Sequence, residues 1–181
     1  RLTDVTGVQT CALPIFFIFR SLGLSFQEVI IALIGEKKQN YTILRNSAIY
    51  LGIMVTLMIS AIAFTPLADL WFINVSGLSD ELSAISYLPL KIMILLPAFT
   101  VLLNFQRACL IANGTTGPIS VATAIELASI IALLLVCVVT LNLVGVIAAS
   151  IAYVTGKGLS NLYLIPKQAA AVRAWRFNDQ T

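Results

Sequence analysis

The chain has 181 residues, a net charge of +3, 59% hydrophobic and 10% charged residues, and a mean hydropathy of +0.97. A soluble domain carries about 45–50% apolar and about 25% charged residues, so a fold of this composition could not cover its surface in water, and lipid must be the solvent for much of it. The small charge excess, scattered over connectors, excludes a nucleic-acid face, and the absence of histidine excludes His-based metal sites and proton relays.

The first segment, Arg1–Ile15, stands apart from the rest of the chain. Val5 to Ile15, eleven consecutive residues, is similar to a common sequencing-library adapter translated in frame. That resemblance implies that residues 1–15 are an adapter-derived artefact without function and that the native gene was truncated upstream. The expected organisation is therefore 1–15 artefact, 16–166 transmembrane bundle and 167–181 basic cytosolic tail.

Five hydrophobic segments come next in chain order, at about Phe16–Gly35, Ser47–Ile73, Leu82–Ala112, Ile119–Leu141 and Val144–Ile165. A spanning helix needs roughly 20 predominantly apolar residues, and the last four reach that length. The first is the weakest, because Arg20, Gln27 and Glu28 interrupt it. The third is long enough to tilt or protrude, and Pro89 and Pro97 are expected to bend it. The runs are too long, and alternate too little, for the strands of a barrel. The fold class is thus all-α: a polytopic transmembrane helix bundle of about five spans.

The punctuation between the runs agrees. Ser79 is placed to cap the third helix, with Asp80 and Glu81 in its first turn, and Thr116 to cap the fourth ahead of Gly117 and Pro118. Asn142 and Gly145 mark the next turn, and Pro166 is expected to close the fifth helix. Trp175 and Phe177 give the tail an interfacial character. Lys37, Lys38 and Arg45 occupy the first connector, Arg107 approaches the third, and Lys167, Arg173 and Arg176 occupy the tail, whereas the connectors around 74–81 and 142 hold no Lys or Arg. This alternation places Glu36–Arg45, Asn113–Pro118 and the tail in the cytosol and Val75–Asp80 outside, in a multi-pass protein of the inner (plasma) membrane.

No P-loop, GxSxG, HExxH or dinucleotide fingerprint occurs, and an enzyme is not expected. Cys11, Cys109 and Cys137 lack metal or disulfide spacing, and the latter two read as small hydrophobes in apolar runs. The informative residues are ionisable groups within spans, which are costly in lipid. Arg107 and Glu126 flank the Asn113–Pro118 turn at depths that differ by about 3 Å on helices expected to be antiparallel neighbours, so they could pair. That pair would either border a substrate or ion path or be structural, with Arg107 snorkelling to the headgroups. Glu28 could hold a proton or cation, or could pair with Arg20 or a connector lysine. Lys91 is placed to snorkel at the outer headgroups. Lys157 and Asn161 form a polar stripe on the fifth helix that either faces a cavity or contacts another part of the missing protein. Gly145, Ala149, Ala152 and Gly156 are spaced for close helix approach.

Several stretches resemble the multidrug and toxin extrusion (MATE) family and its wider superfamily of polysaccharide and lipid-linked oligosaccharide flippases. They are Phe64-Thr-Pro-Leu-Ala-Asp-Leu, Leu96-Pro-Ala-Phe with Phe105-Gln-Arg, Gly114-Thr-Thr-Gly-Pro-Ile-Ser leading to Thr123-Ala-Ile-Glu, and Val144-Gly-Val-Ile-Ala-Ala-Ser-Ile-Ala. Order and topology carry the likeness, over most of Phe16–Pro166. It implies helices two to six of one six-helix lobe, with a second lobe as the missing partner; the short tail suggests that this lobe is the C-terminal one. It also implies a secondary transporter that exports small organic molecules by alternating access, coupled to H+ or Na+ and without an organic cofactor. A flippase for a lipid-linked sugar is the alternative within transport, and a non-transporting membrane scaffold the alternative outside it. The family's cation-site acids do not map onto this chain residue by residue. The candidate path residues are therefore those read directly: Glu28, Arg107, Glu126, Lys157 and Asn161. A cavity lined by Glu28, Arg107, Glu126 and Lys157 would favour transport; the same residues pointing at a flat protein contact would favour the scaffold.

Overall fold

The structure, a computed structural model, describes residues 21, 23–34, 40–65, 87–139 and 145–178. The adapter-like segment, Arg20, the basic pair Lys37 and Lys38, and the expected cap at Ser79 lie outside the described residues, as does the Val75–Asp80 connector. The described residues form helices and turns, with no strand among them. The helices are α1 (Gly23–Ile34), α2 (Tyr41–Phe64), α3 (Tyr87–Ala112), α4 (Gly117–Val139) and α5 (Gly145–Asn178). Among the described residues three of them, α2, α3 and α4, are long and apolar enough to cross a membrane. Their outward faces carry large apolar side chains such as Ile53, Leu57, Leu127 and Leu135, each more than half exposed. A helical bundle with such a surface belongs in lipid, and the chain is a membrane protein.

α3 is the centre of the bundle. α2 packs antiparallel along one side of it: Tyr41 stacks on Phe105 with ring centroids 5.8 Å apart, Gly52 faces Ala98, and Ala63 meets Leu90. α5 runs parallel to α3 on another side, with Asn161 beside Phe99 and Gln168 beside Cys109. α1 closes a core of Ile30, Ile34, Leu44, Ala48, Val101 and Phe105. Asn40 fastens this corner, donating from its amide to the Leu33 carbonyl at 2.9 Å and so satisfying a carbonyl in the last turn of α1. The free thiols of Cys109 and Cys137 are both buried, as small hydrophobes would be.

Proline explains the break in α3. Pro97 has no N–H to offer the Met93 carbonyl, so the Leu96 N–H takes it instead, and Met93–Leu95 tighten into a 3-10 turn. The end of α3 is equally determined. Gly114 adopts φ +71°, and the N–H groups of Gly114 and Thr115 return to the carbonyls of Ile111 (2.9 Å) and Leu110 (3.0 Å). This is a Schellman motif, which requires a left-handed residue after the last helical carbonyls. Thr116 then occupies the N-cap position of α4, its carbonyl accepting from Ile119 and Ser120.

Three expectations need correction. Pro166 does not end the fifth helix, which continues to Asn178. The carbonyl that loses its donor belongs to Leu162, and both Leu162 and Pro166 are exposed, so no core closes around the defect. Beyond the proline, Gln168 and Ala171 are buried and Val172 packs on the α1–α2–α3 core, which holds the extension in place. The region 167–178 is thus a continuation of α5 rather than a separate tail. Second, α5 is not among the helices apolar enough to count as a span on composition, because Lys157, Ser160 and Asn161 dilute its apolar run. Third, Ala149 is exposed; the small residues on the buried face are Ala148, Ala152, Gly156 and Ser160, in strict steps of four, and Gly156 and Ser160 meet α4.

Candidate functional site

The short turn after α3 brings α4 back beside it, but the two helices scarcely touch beyond that turn. α5 lies behind both and supplies most of the packing surface of α4. The reason is size. Gly156 has no side chain, and a Cβ there would lie 2.7 Å from Ile130 Cγ1 and 3.2 Å from the Glu126 carbonyl oxygen. Only glycine lets the α4 backbone come this close. Ser160, one turn on, is fully buried and donates to the Ala122 carbonyl at 3.1 Å, which ties the same two helices together.

This close approach sets the geometry of the charged residues. Lys157 follows Gly156 and reaches Glu126 with an Nζ–Oε1 distance of 2.8 Å, at side-chain exposures of 9% and 12%. Lys157 also lies 5.9 Å from the centre of the Tyr153 ring, one turn back on its own helix. Arg107 approaches from α3. Its Nη2 is 4.0 Å from Glu126 Oε2, at the outer limit of an ion pair, and donates to Thr123 Oγ1 at 3.1 Å. Thr123 in turn donates to the Ile119 carbonyl at 3.0 Å, so its oxygen has a lone pair left for the guanidinium.

The expected pairing of Arg107 with Glu126 is therefore correct in place but not in rank. Glu126 is held chiefly by Lys157, whose sequence position suggests only a separate polar stripe on the fifth helix. The premise that fails is that a short turn makes α3 and α4 close neighbours along their length. Asn161 does sit on the same buried face of α5 as Lys157. Its amide donates to the Phe99 carbonyl at 3.1 Å and to the Lys157 carbonyl at 2.9 Å, while its own backbone carbonyl accepts from Gln106 Nε2 at 3.4 Å. Arg107, Glu126, Lys157 and Asn161 thus converge where α3, α4 and α5 meet.

Glu28 does not join them. It is exposed on α1, and the partners considered for it, Arg20 and the connector lysines, lie outside the described residues. Lys91 is exposed at the far end of α3, with its ammonium 5.6 Å from the centre of the Phe64 ring at the end of α2.

Sequence reasoning misses Asn104, Gln106, Thr123 and Ser160. Thr100, Asn104 and Arg107 succeed one another at helical spacing on α3, so a polar stripe is visible in the sequence. Asn104 and Gln106 are buried, and Asn104 Nδ2, Gln106 Oε1, Arg107 Nε and Asn161 Oδ1 have no hydrogen-bond partner among the described residues. No group of three His, Cys, Asp or Glu side chains able to hold a metal occurs among the described residues. Comparison with protein-family models, with curated proteins and with solved structures finds no match for the chain.

Proposed function

We propose that this chain is part of one lobe of a secondary active transporter of the multidrug and toxin extrusion type, multi-pass in the inner membrane. In this reading it exports small organic molecules by alternating access, coupled to H+ or Na+. The observation that carries the reading is the convergence of Arg107, Glu126, Lys157 and Asn161 between three helices of a lipid-embedded bundle. Charges placed in lipid are expensive and are retained where they bind, relay or gate. The proline break in α3 adds support, because interrupted helices give a transporter bundle places to flex.

The test is transport by the protein expressed from its native locus and reconstituted in liposomes. A fluorescent organic cation is loaded inside, and a proton or sodium gradient is imposed. Gradient-driven efflux that falls at least tenfold in Glu126→Gln, with helicity retained, is expected; efflux that ignores both gradients and the substitution would sink the proposal.

A further inference from the structure

We infer that Arg107 binds a phosphate group at the membrane surface, that of an anionic phospholipid headgroup, in the groove where α3 and α4 diverge. The inference holds whether or not the chain transports anything, and it starts from a charge count. Among the described residues the cluster contains two cations, Arg107 and Lys157, and one carboxylate, Glu126. Lys157 takes that carboxylate at 2.8 Å, whereas Arg107 stands 4.0 Å from it. One positive charge is left over, and it resides on the guanidinium.

The hydrogen bonding of Arg107 gives the same answer. Nη2 donates to the Thr123 hydroxyl, a neutral partner, and Nε is buried with no acceptor among the described residues. A guanidinium offers five donors in a flat fork suited to phosphate or carboxylate oxygens, and a buried donor left unpaired is costly. The side chain retains 22% exposure, so part of the guanidinium is open to an incoming group. An external anion at the exposed part of the guanidinium would supply the missing charge and further acceptors.

Depth selects the source of the anion. Arg107 lies five residues before Ala112, the last residue of α3, or about 8 Å along the axis from the helix end. An arginine at that depth reaches the phosphate layer by extending its side chain. The groove flanks α4, whose outward face is apolar and exposed, so the acyl chains of the same lipid would find Leu127 and Ile131 beside them. A free phosphate would gain nothing from those apolar neighbours.

The test uses the full chain in nanodiscs of phosphatidylcholine, alone or with a minority of phosphatidylglycerol. Retained lipid is counted by native mass spectrometry after release. The unaltered chain is expected to keep phosphatidylglycerol in preference to phosphatidylcholine. Arg107→Gln should weaken that retention about tenfold, the loss expected for one hydrogen bond to a charged group, and Arg107→Lys should fall in between, since it keeps the charge but not the fork. Lys167→Gln, which removes an exposed charge elsewhere on α5, should change nothing. Equal retention of the two lipids by the unaltered chain overturns the inference without any variant having to fold. An equal loss in Lys167→Gln overturns it too, because the attraction would then be a general one. Displacement of the lipid by millimolar inorganic phosphate would reassign the site to a soluble anion and overturn the lipid assignment.

Discussion

Helices α3 and α4 are joined by one short turn, yet they are built for opposite surroundings. The most apolar stretch of α3 is 50% buried within the bundle, and that of α4 only 11%. α3 carries Thr100, Asn104, Gln106 and Arg107 through its buried half, while α4 is apolar almost all round, with its one charged group, Glu126, in its first half. In water the more hydrophobic helix would be the more buried one. In lipid the order reverses, because acyl chains solvate leucine as well as a protein core does, and polar atoms are what need protein around them.

The largest test of that contrast is the buried ion pair. Glu126→Ala leaves Lys157 without its carboxylate in a site where it is 7% exposed, and Lys157→Ala does the reverse. Each single change is expected to destabilise the bundle by about 3–5 kcal/mol, and the double change by much less than the sum. Reversible unfolding of the full chain in mixed micelles measures this. Strictly additive single effects would mean that the two charges do not see each other.

A pair of leucine substitutions sharpens the comparison directly. Leu110 on α3 is 1% exposed and packs with Leu103, Ala122 and Leu164, whereas Leu135 on α4 is 60% exposed. Leu110→Ala should cost about 2–5 kcal/mol, because it leaves a buried cavity. Leu135→Ala should cost well under 1 kcal/mol in a bilayer, because lipid refills the space. Equal losses at the two positions would show that the outer face of α4 is covered by protein.

At the seam between α4 and α5 the expected effect is smaller. Gly156→Ala forces a methyl against Ile130 Cγ1 and the Glu126 carbonyl, neither of which is the free end of a flexible chain. Overpacking of this kind costs about 1–3 kcal/mol. It should also lengthen the Glu126–Lys157 contact, which a cross-link between cysteines placed at 126 and 157 would report as a lower yield. An unchanged stability and yield would mean that the helices already stand further apart.

Much of this arrangement is legible in the sequence, and what is not has a common physical cause. The helices, the Asn113–Thr116 turn and the polar residues at membrane depth are local properties, set by apolar run length, by Gly114 and by composition. Neighbours in space are not local. The turn at Gly114 says that α3 and α4 are consecutive, but Gly156 decides that α5, with its bare backbone, takes the face of α4 that α3 would otherwise have occupied. Hence the sequence matches Glu126 to Arg107 although Lys157 is nearer. The same limit explains Pro166. Its ring breaks a local bond, but the contacts of Gln168, Ala171 and Val172 with distant residues carry the helix past it.

The smallest predicted effect concerns the pair that sequence spacing alone brings together. Arg107 and Glu126 are 4.0 Å apart at their nearest, and Arg107 keeps 22% of its side chain exposed. A loosely held, partly solvated ion pair contributes about 0–1 kcal/mol. In a double-mutant cycle the coupling between Arg107→Ala and Glu126→Ala should therefore be well below the coupling between Lys157→Ala and Glu126→Ala in the same protein. Substituting Arg107 has a second consequence that separates the roles of the lysine and the arginine. It removes the donor to Thr123, so Thr123→Val should couple to Arg107→Ala but not to Lys157→Ala. If Arg107 instead couples to Glu126 as strongly as Lys157 does, the carboxylate is shared evenly between α3 and α5, and the ion pairs hold all three helices together rather than two.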